Sequence, residues 1–125
     1  MTIQEALSLA DDMKDNLMDD GTKISFISEA EAMVHDGIIM KCEHTPEQAI
    51  CPQYDDDTAK DTVLLVPDRF AKLYVFYVMA AIDLKNDEMD KYNNHRALFE
   101  NKYREFEDYW RREHMPITSC QHFII

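Results

Sequence analysis

The chain has 125 residues, of which 46% are hydrophobic, and its 25 acidic and 13 basic residues give a formal net charge of −12. This length and composition fit one folded domain with a modest core, and the negative charge argues against a direct grip on nucleic acid, which requires a basic patch. With only two glycines, the glycine-rich loops of nucleotide-binding folds are excluded.

The sequence also lacks the signals of membrane insertion and of secretion. No stretch comes near the ~18 consecutive apolar residues that a membrane span needs. The N-terminus shows no basic stretch ahead of an apolar one, and the three cysteines are typical of reduced intracellular thiols. We therefore expect a cytoplasmic protein that does not enter membranes.

The first 40 residues predict two helices. Thr2 opens a capping box, and apolar residues then recur at steps of three and four as far as Leu17. The acidic and glycine-containing run 19–21 predicts the end of this helix. The second helix is expected to begin near Thr22 and to fray after Met40.

A long loop is predicted between the second and third helices. Residues 42–62 contain Pro46, Pro52 and the acidic run 55–57, and they show neither helical nor strand periodicity. Loops of this length tend to be mobile or engaged with a partner, so we interpret this one as a candidate contact surface. Residues 62–66 are expected to lie as a short extended strap across the helices.

Two further helices complete the predicted fold, an all-α, four-helix bundle-like domain over residues 1–116 with a long C-terminal helical hairpin. The third helix is expected to begin at Pro67 and to run to about Lys85. Because it is apolar on nearly all sides, it is either the central helix of the bundle or one covered by another subunit. The fourth helix is expected to run from the turn at 86–87 to His114, about 42 Å, which is longer than the other helices can cover.

The fourth helix carries an aromatic seam that favours a packing protein over an enzyme. The members recur at steps of three and four, broken only by Arg96: Met89, Tyr92, Phe99, Tyr103, Phe106 and Trp110. Nothing polar converges on this seam, so we predict no cofactor site there. Its overhanging end, with Phe106, Tyr109 and Trp110, must be covered by the chain's own loop and N-terminal helix or by a neighbouring subunit. These three residues are candidate interface contacts.

An extended tail, residues 117–125, is predicted after the proline that stops the fourth helix. A polar spacer leads to three consecutive apolar residues. Such a peptide is typical of segments that dock into a groove or add to a sheet edge, the alternative being that it folds back on the core. The candidate contact residues of the tail are Ile117, Phe123, Ile124 and Ile125.

Cysteine and histidine occur as two Cys-x-His pairs, Cys42 with His44 and Cys120 with His122. Together with Cys51 they offer enough ligands for a tetrahedral zinc ion, but the pairs lie too far apart for the usual zinc modules. Catalysis by a cysteine would need an oxyanion hole or a third orienting group, and none can be identified. We expect no cofactor, no metal and no enzymatic activity.

Acidic side chains cluster near the turn between the third and fourth helices: Asp83, Asp87, Glu88 and Asp90. Such carboxylates could bind a divalent ion. A solvated acidic helix end accounts for them more simply, because negative charge is favourable at a helix N-terminus.

Several segments carry a resemblance to a known family. They are residues 3–7, 23–24, 64–68, 73–77, 82–83, 92–94 and 97–99, with Tyr103, Phe106, Tyr109, Trp110, Met115 and Pro116. In these segments the chain resembles the small helical head–tail connector (adaptor) proteins of tailed bacteriophages and prophages of Gram-positive bacteria. The loop 42–62 and the tail after Pro116 take no part in the resemblance.

The resemblance implies a non-enzymatic protein that joins the portal vertex of a filled capsid. It would form a homo-oligomeric ring, contact the portal protein and tail or stopper proteins, and extend the DNA channel toward the tail. Such a protein would occur in the host cytoplasm during assembly and at the head–tail junction of the virion. Sequence-specific binding of nucleic acid is not implied.

Two other classes remain open. An acidic phage-encoded regulator that binds a host protein through a DNA-mimicking surface would be a stable monomer or dimer without affinity for portal protein. A zinc-stabilised module using the Cys/His pairs would bind zinc stoichiometrically and lose its fold with a chelator.

Overall fold

The computed structural model describes residues 1–117, and its regular elements are helices, which confirms the predicted all-α class. The helices are α1 (Ile3–Met13), α2 (Asp20–Gly37), α3 (Lys72–Lys85) and α4 (Met89–Glu113), with a short 3-10 helix at Ile39–Lys41. Among these residues, no helix is both long enough and apolar enough to cross a membrane.

The start of α1 is the predicted capping box, but its end differs from the prediction. The Thr2 hydroxyl accepts the Glu5 N–H at 3.1 Å, and the Glu5 carboxylate accepts the Thr2 N–H at 3.0 Å. The helix ends at Met13, not near Leu17, which is fully exposed. The Asn16 side chain causes this early end, because it bonds to the backbone two residues before and two residues after itself.

The bounds of α2 differ from the prediction by a few residues. Its first turn is capped by Asp19, whose carboxylate accepts the Thr22 N–H at 3.1 Å, so the helix begins at Asp20. After Gly37 the backbone tightens into the 3-10 helix, a common ending for an α-helix.

The predicted loop 42–62 is held against α2 of its own chain. The Tyr54 N–H donates to the Ser28 hydroxyl at 3.1 Å, and the Gln48 carbonyl lies 2.7 Å from His35 Nε2. The loop therefore packs on its own domain at these residues, and its role as a contact surface for a partner stays a prediction.

The predicted extended strap crosses the start of α1. Thr2 and Val63 form an isolated antiparallel bridge, and the Leu64 N–H donates to the Met1 carbonyl at 2.9 Å. The side chains of Leu64 and Val66 are buried in the core. The strap therefore closes the core over α1, as predicted.

α3 is the central helix and packs on α1, α2 and α4, which decides between the two readings of its apolar surface. It begins at Lys72, not at Pro67, because the Phe70 N–H bonds to the Pro67 carbonyl at 2.9 Å and closes a turn. That turn places the Phe70 ring in the core.

α4 runs antiparallel to α3, since residues early in one helix pair with residues late in the other. It begins at Met89 because Asp87 adopts a left-handed backbone with φ 58°, which ends the continuous helix. Phe99 and Phe106 of the predicted seam are fully buried, whereas Met89 is half-exposed. The seam therefore packs in its middle and distal parts.

Gly37 at the end of α2 lies against Tyr103 of α4. A Cβ added at Gly37 would overlap the Tyr103 hydroxyl, which donates to the Met33 carbonyl at 3.1 Å. Alanine ordinarily stabilises a helix by about 1 kcal/mol over glycine. Here we expect Gly37→Ala to lower the free energy of unfolding by about 1 kcal/mol instead, because the Tyr103 hydrogen bond must break.

Urea unfolding in two backgrounds checks this expectation. In Tyr103→Phe, which lacks the overlapping hydroxyl, Gly37→Ala should no longer destabilise. Equal stabilisation by Gly37→Ala in both backgrounds would contradict the account.

Candidate functional site

The aromatic end of α4 is covered by its own chain. Phe106 has no exposed surface, and its ring lies 5.9 Å from the Phe70 ring and 5.7 Å from the Trp110 ring. The Arg69 guanidinium lies 5.0 Å from the Phe70 ring and 5.3 Å from the Tyr109 ring. The cover is therefore the turn before α3, and neither a subunit nor the N-terminal helix is needed for Phe106.

This burial removes Phe106 from the candidate interface contacts. Tyr109 and Trp110 are half-buried and keep some exposed surface. Trp110 stacks on His114 with a ring separation of 3.7 Å, and its Nε1 is buried without a hydrogen-bond partner among residues 1–117. Their role as interface contacts stays a prediction.

After α4 the chain turns back and pairs with the segment that follows α2. Cys42 and Pro116 form an antiparallel bridge, the Glu43 N–H donates to the Met115 carbonyl at 2.7 Å, and the Ile117 N–H donates to the Lys41 carbonyl at 2.9 Å. The first residue of the predicted tail is therefore fixed to the body of the domain.

Apolar side chains remain exposed at this pairing. Met115 is 66% exposed and Ile117 45% exposed. We call Met115 and Ile117 the C-terminal edge. The other tail candidates, Phe123, Ile124 and Ile125, lie outside the described residues.

The cysteine and histidine residues give no metal centre within residues 1–117, where no group of three or more possible ligands occurs. Cys42 is buried, and burial raises the pKa of its thiol, as it does for half-buried Cys51. His44 Nδ1 lies 2.8 Å from the Cys42 carbonyl oxygen. Cys120 and His122 lie outside the described part of the chain.

A buried carboxylate, Glu31 of α2, joins three segments. Its two oxygens accept hydrogen bonds from the hydroxyls of Tyr74 in α3 and Tyr54 in the loop, the latter at 2.9 Å, and from the Leu65 N–H of the strap at 2.9 Å. The Tyr74 hydroxyl in turn accepts the Val66 N–H at 3.1 Å. Burial raises the pKa of Glu31, against the lowering effect of these donors.

A second buried carboxylate, Asp83, joins α1, α3 and α4. Asp83 has no exposed surface and lies 2.8 Å from the Lys14 ammonium and 2.5 Å from His95 Nδ1. The Lys14 ammonium also lies 2.9 Å from Glu88, which pairs with Lys91 at 2.8 Å. The prediction of a solvated acidic helix end is therefore wrong for Asp83, which is neutralised inside the fold.

Glu31 was not predicted as a buried group and Asp83 was assigned to a solvated helix end, although the sequence carries a weak signal for the burial of each. Glu31 lies four residues after Ile27 and three before Val34, on the buried face of its helix. Asp83 directly follows the longest apolar run of the chain. A charge at such a position has to find a partner inside the fold.

Glu88 makes stability depend on pH in the acid range. Hydrogen bonds from the Lys91 and Lys14 ammonium groups lower the pKa of Glu88 from 4.5 to about 2. A lowered pKa contributes stability that is present above pH 4.5 and is lost as the pH falls toward 2. We therefore expect the free energy of unfolding to fall less in Glu88→Gln than in the wild-type protein as the pH is lowered over this range.

Urea unfolding at successive pH values measures the difference. Lys91→Met, which removes the first of the two donors, should weaken the pH dependence in the same direction. A Glu88→Gln variant with the wild-type pH dependence would contradict the assignment.

Comparison with protein families, with curated proteins and with solved structures finds no match to this chain.

Proposed function

We propose that the protein is a non-enzymatic head–tail connector that binds the portal protein of a tailed phage and extends its DNA channel. The observation that carries the proposal is the C-terminal edge, where Met115 and Ile117 stay exposed on a fixed pairing. In the sequence, a polar spacer separates this edge from the three apolar residues 123–125. A rigid base followed by apolar residues suits docking onto another protein.

Charge supports the same proposal. A net charge of −12 suits the wall of a channel through which DNA must pass without being held, because like charges repel. The connector ring would be built from head-to-tail contacts between neighbouring copies of the domain. Such contacts close into a ring when the rotation between neighbours permits.

The buried carboxylates support a structural protein as well. Glu31 and Asp83 are engaged by side chains and backbone groups of their own chain, so they fasten the helices and the loop together. This use of polar groups favours a scaffold for contacts over a site for chemistry.

Binding to portal rings, with portal protein encoded in the same genome, tests the proposal. We expect the wild-type protein to bind, and Ile117→Asp to lose at least tenfold in affinity because a charge enters the C-terminal edge. Leu98→Asp is the matched control, since Leu98 is equally exposed but lies on α4 outside this edge.

The remaining hypotheses give different results in this experiment. The host-directed regulator predicts no binding to portal by any variant. A zinc-stabilised module predicts that a chelator unfolds the protein, and portal binding that survives a chelator speaks against it.

A further inference from the structure

An apolar groove lies on the opposite half of the domain from the aromatic end. Its volume is about 320 Å³, and α3 forms its floor with a stripe at helical spacing, Tyr77, Ala81 and Leu84, between Phe26 of α2 and Tyr92 of α4. Leu84 is half-exposed. The groove thus lies on a part of the central helix that residues 1–117 leave open.

The rim of the groove is held in place by polar contacts. The Tyr77 hydroxyl donates to the Glu29 carboxylate at 3.0 Å, and the Arg96 guanidinium lies 5.9 Å from the Tyr77 ring and 5.4 Å from the Phe99 ring. The site is therefore preformed, which lowers the cost of binding an apolar peptide.

The direction of the chain at Ile117 identifies an occupant. Residues 115–117 run antiparallel to residues 41–43, so at Ile117 the chain runs back toward the end of α2, alongside Lys41. Glu29 and Phe26, which line the groove, lie in α2 and so precede Lys41 in the chain.

The length of the tail matches the distance to the groove. Helical rise from Lys41 back along α2 puts Glu29 at about 20 Å and Phe26 at about 24 Å. An extended chain starting at Ile117 reaches about 20 Å at Phe123 and about 27 Å at Ile125. An extended tail is therefore long enough for its three apolar residues to reach the groove.

We propose that residues 123–125 occupy the groove of their own chain in the free protein. If the proposed function holds, the groove and the portal compete for the same apolar residues; this competition rests on the proposed function. The groove then keeps the tail from other partners until a portal is present, and the apparent affinity for portal is lowered by the docked fraction.

Methyl NMR of the full-length protein tests the docking. Replacing both Phe123 and Ile124 by serine should shift the methyl signals of Ala80, Ala81 and Leu84, by the same amount at every protein concentration. Thr118→Ala is the control and should leave them in place. Unchanged signals would overturn the proposal, and shifts that vanish on dilution would assign the groove to the tail of a second copy instead.

Portal affinity tests the competition. Leu84→Glu places a charge in the groove at an exposed position, so if the tail is docked nine-tenths of the time, portal should bind about tenfold more tightly. Leu98→Glu should bind as the wild type does. Equal portal affinities of Leu84→Glu and the wild-type protein would overturn the competition. Absence of portal binding by every variant would instead overturn the connector function, and the methyl NMR result would then decide the docking on its own.

Discussion

Replacing Glu31 by alanine is expected to lower the free energy of unfolding by about 3–5 kcal/mol. The substitution removes the acceptor for Tyr54, Tyr74 and the Leu65 N–H together, and the Tyr74 hydroxyl is left fully buried without an acceptor. It also removes one of the contacts that hold the loop and the strap in place, so amide hydrogen exchange should speed up in both segments.

Two variants separate the buried network from a loss of charge. Glu29→Ala removes a carboxylate of the same helix that is exposed and bonds one hydroxyl, Tyr77, so it should cost less than about 1 kcal/mol. Glu31→Gln keeps the shape and one acceptor oxygen, so its cost should be intermediate. Urea unfolding gives all three values, and equal costs for Glu31→Ala and Glu29→Ala would refute the account.

The pH dependence gives a second readout of Glu31. Because burial raises its pKa in the folded protein above 4.5, its contribution is fully present below that value and is lost as the pH rises through the folded pKa. The stability of the wild-type protein relative to Glu31→Gln should therefore fall as the pH rises from 4 toward neutrality. A relative stability that increases with pH would contradict the direction of the shift.

Replacing Asp83 by alanine is expected to cost about 3 kcal/mol. Asp83 is fully buried between Lys14, the residue after α1, and His95 of α4, and its loss leaves the largely buried Lys14 ammonium with Glu88 as its remaining partner. Since Lys14 follows directly after α1, that helix should be the first to loosen in hydrogen exchange.

The control is Asp90→Ala, which removes an exposed carboxylate close to the same turn and should change stability by less than about 0.5 kcal/mol. The double variant Lys14→Met with Asp83→Leu should recover most of the loss, because it removes both charges and fills the space. If Asp83→Ala unfolds no more easily than Asp90→Ala, the buried ion pair does not fasten α1.

Local signals were enough to predict the helices. Apolar periodicity and the capping residues gave the all-α class, the start of α1 and the strap over it. The ends of helices were predicted less well, because side chains such as Asn16 and the turn that closes at Phe70 compete with the helix locally. Periodicity does not register that competition.

The site was less predictable, because its contacts join distant parts of the chain. Phe70 packs on Phe106, and Lys14 pairs with Asp83. The members of each pair are far apart in the chain, and no sequence pattern shows that they are in contact. The aromatic end was correctly expected to need a cover, but the cover is the turn before α3. The C-terminal edge could not be predicted, since the pairing of Cys42 with Pro116 depends on the chain reversing after α4.

Co-sedimentation of the purified full-length protein with portal rings from the same genome tests the central proposal most directly. The connector function predicts that the protein moves with the rings at a fixed ratio to portal subunits, and that Ile117→Asp does not. A wild-type protein that stays at the top of the gradient at every concentration, with folded portal rings present, would contradict it.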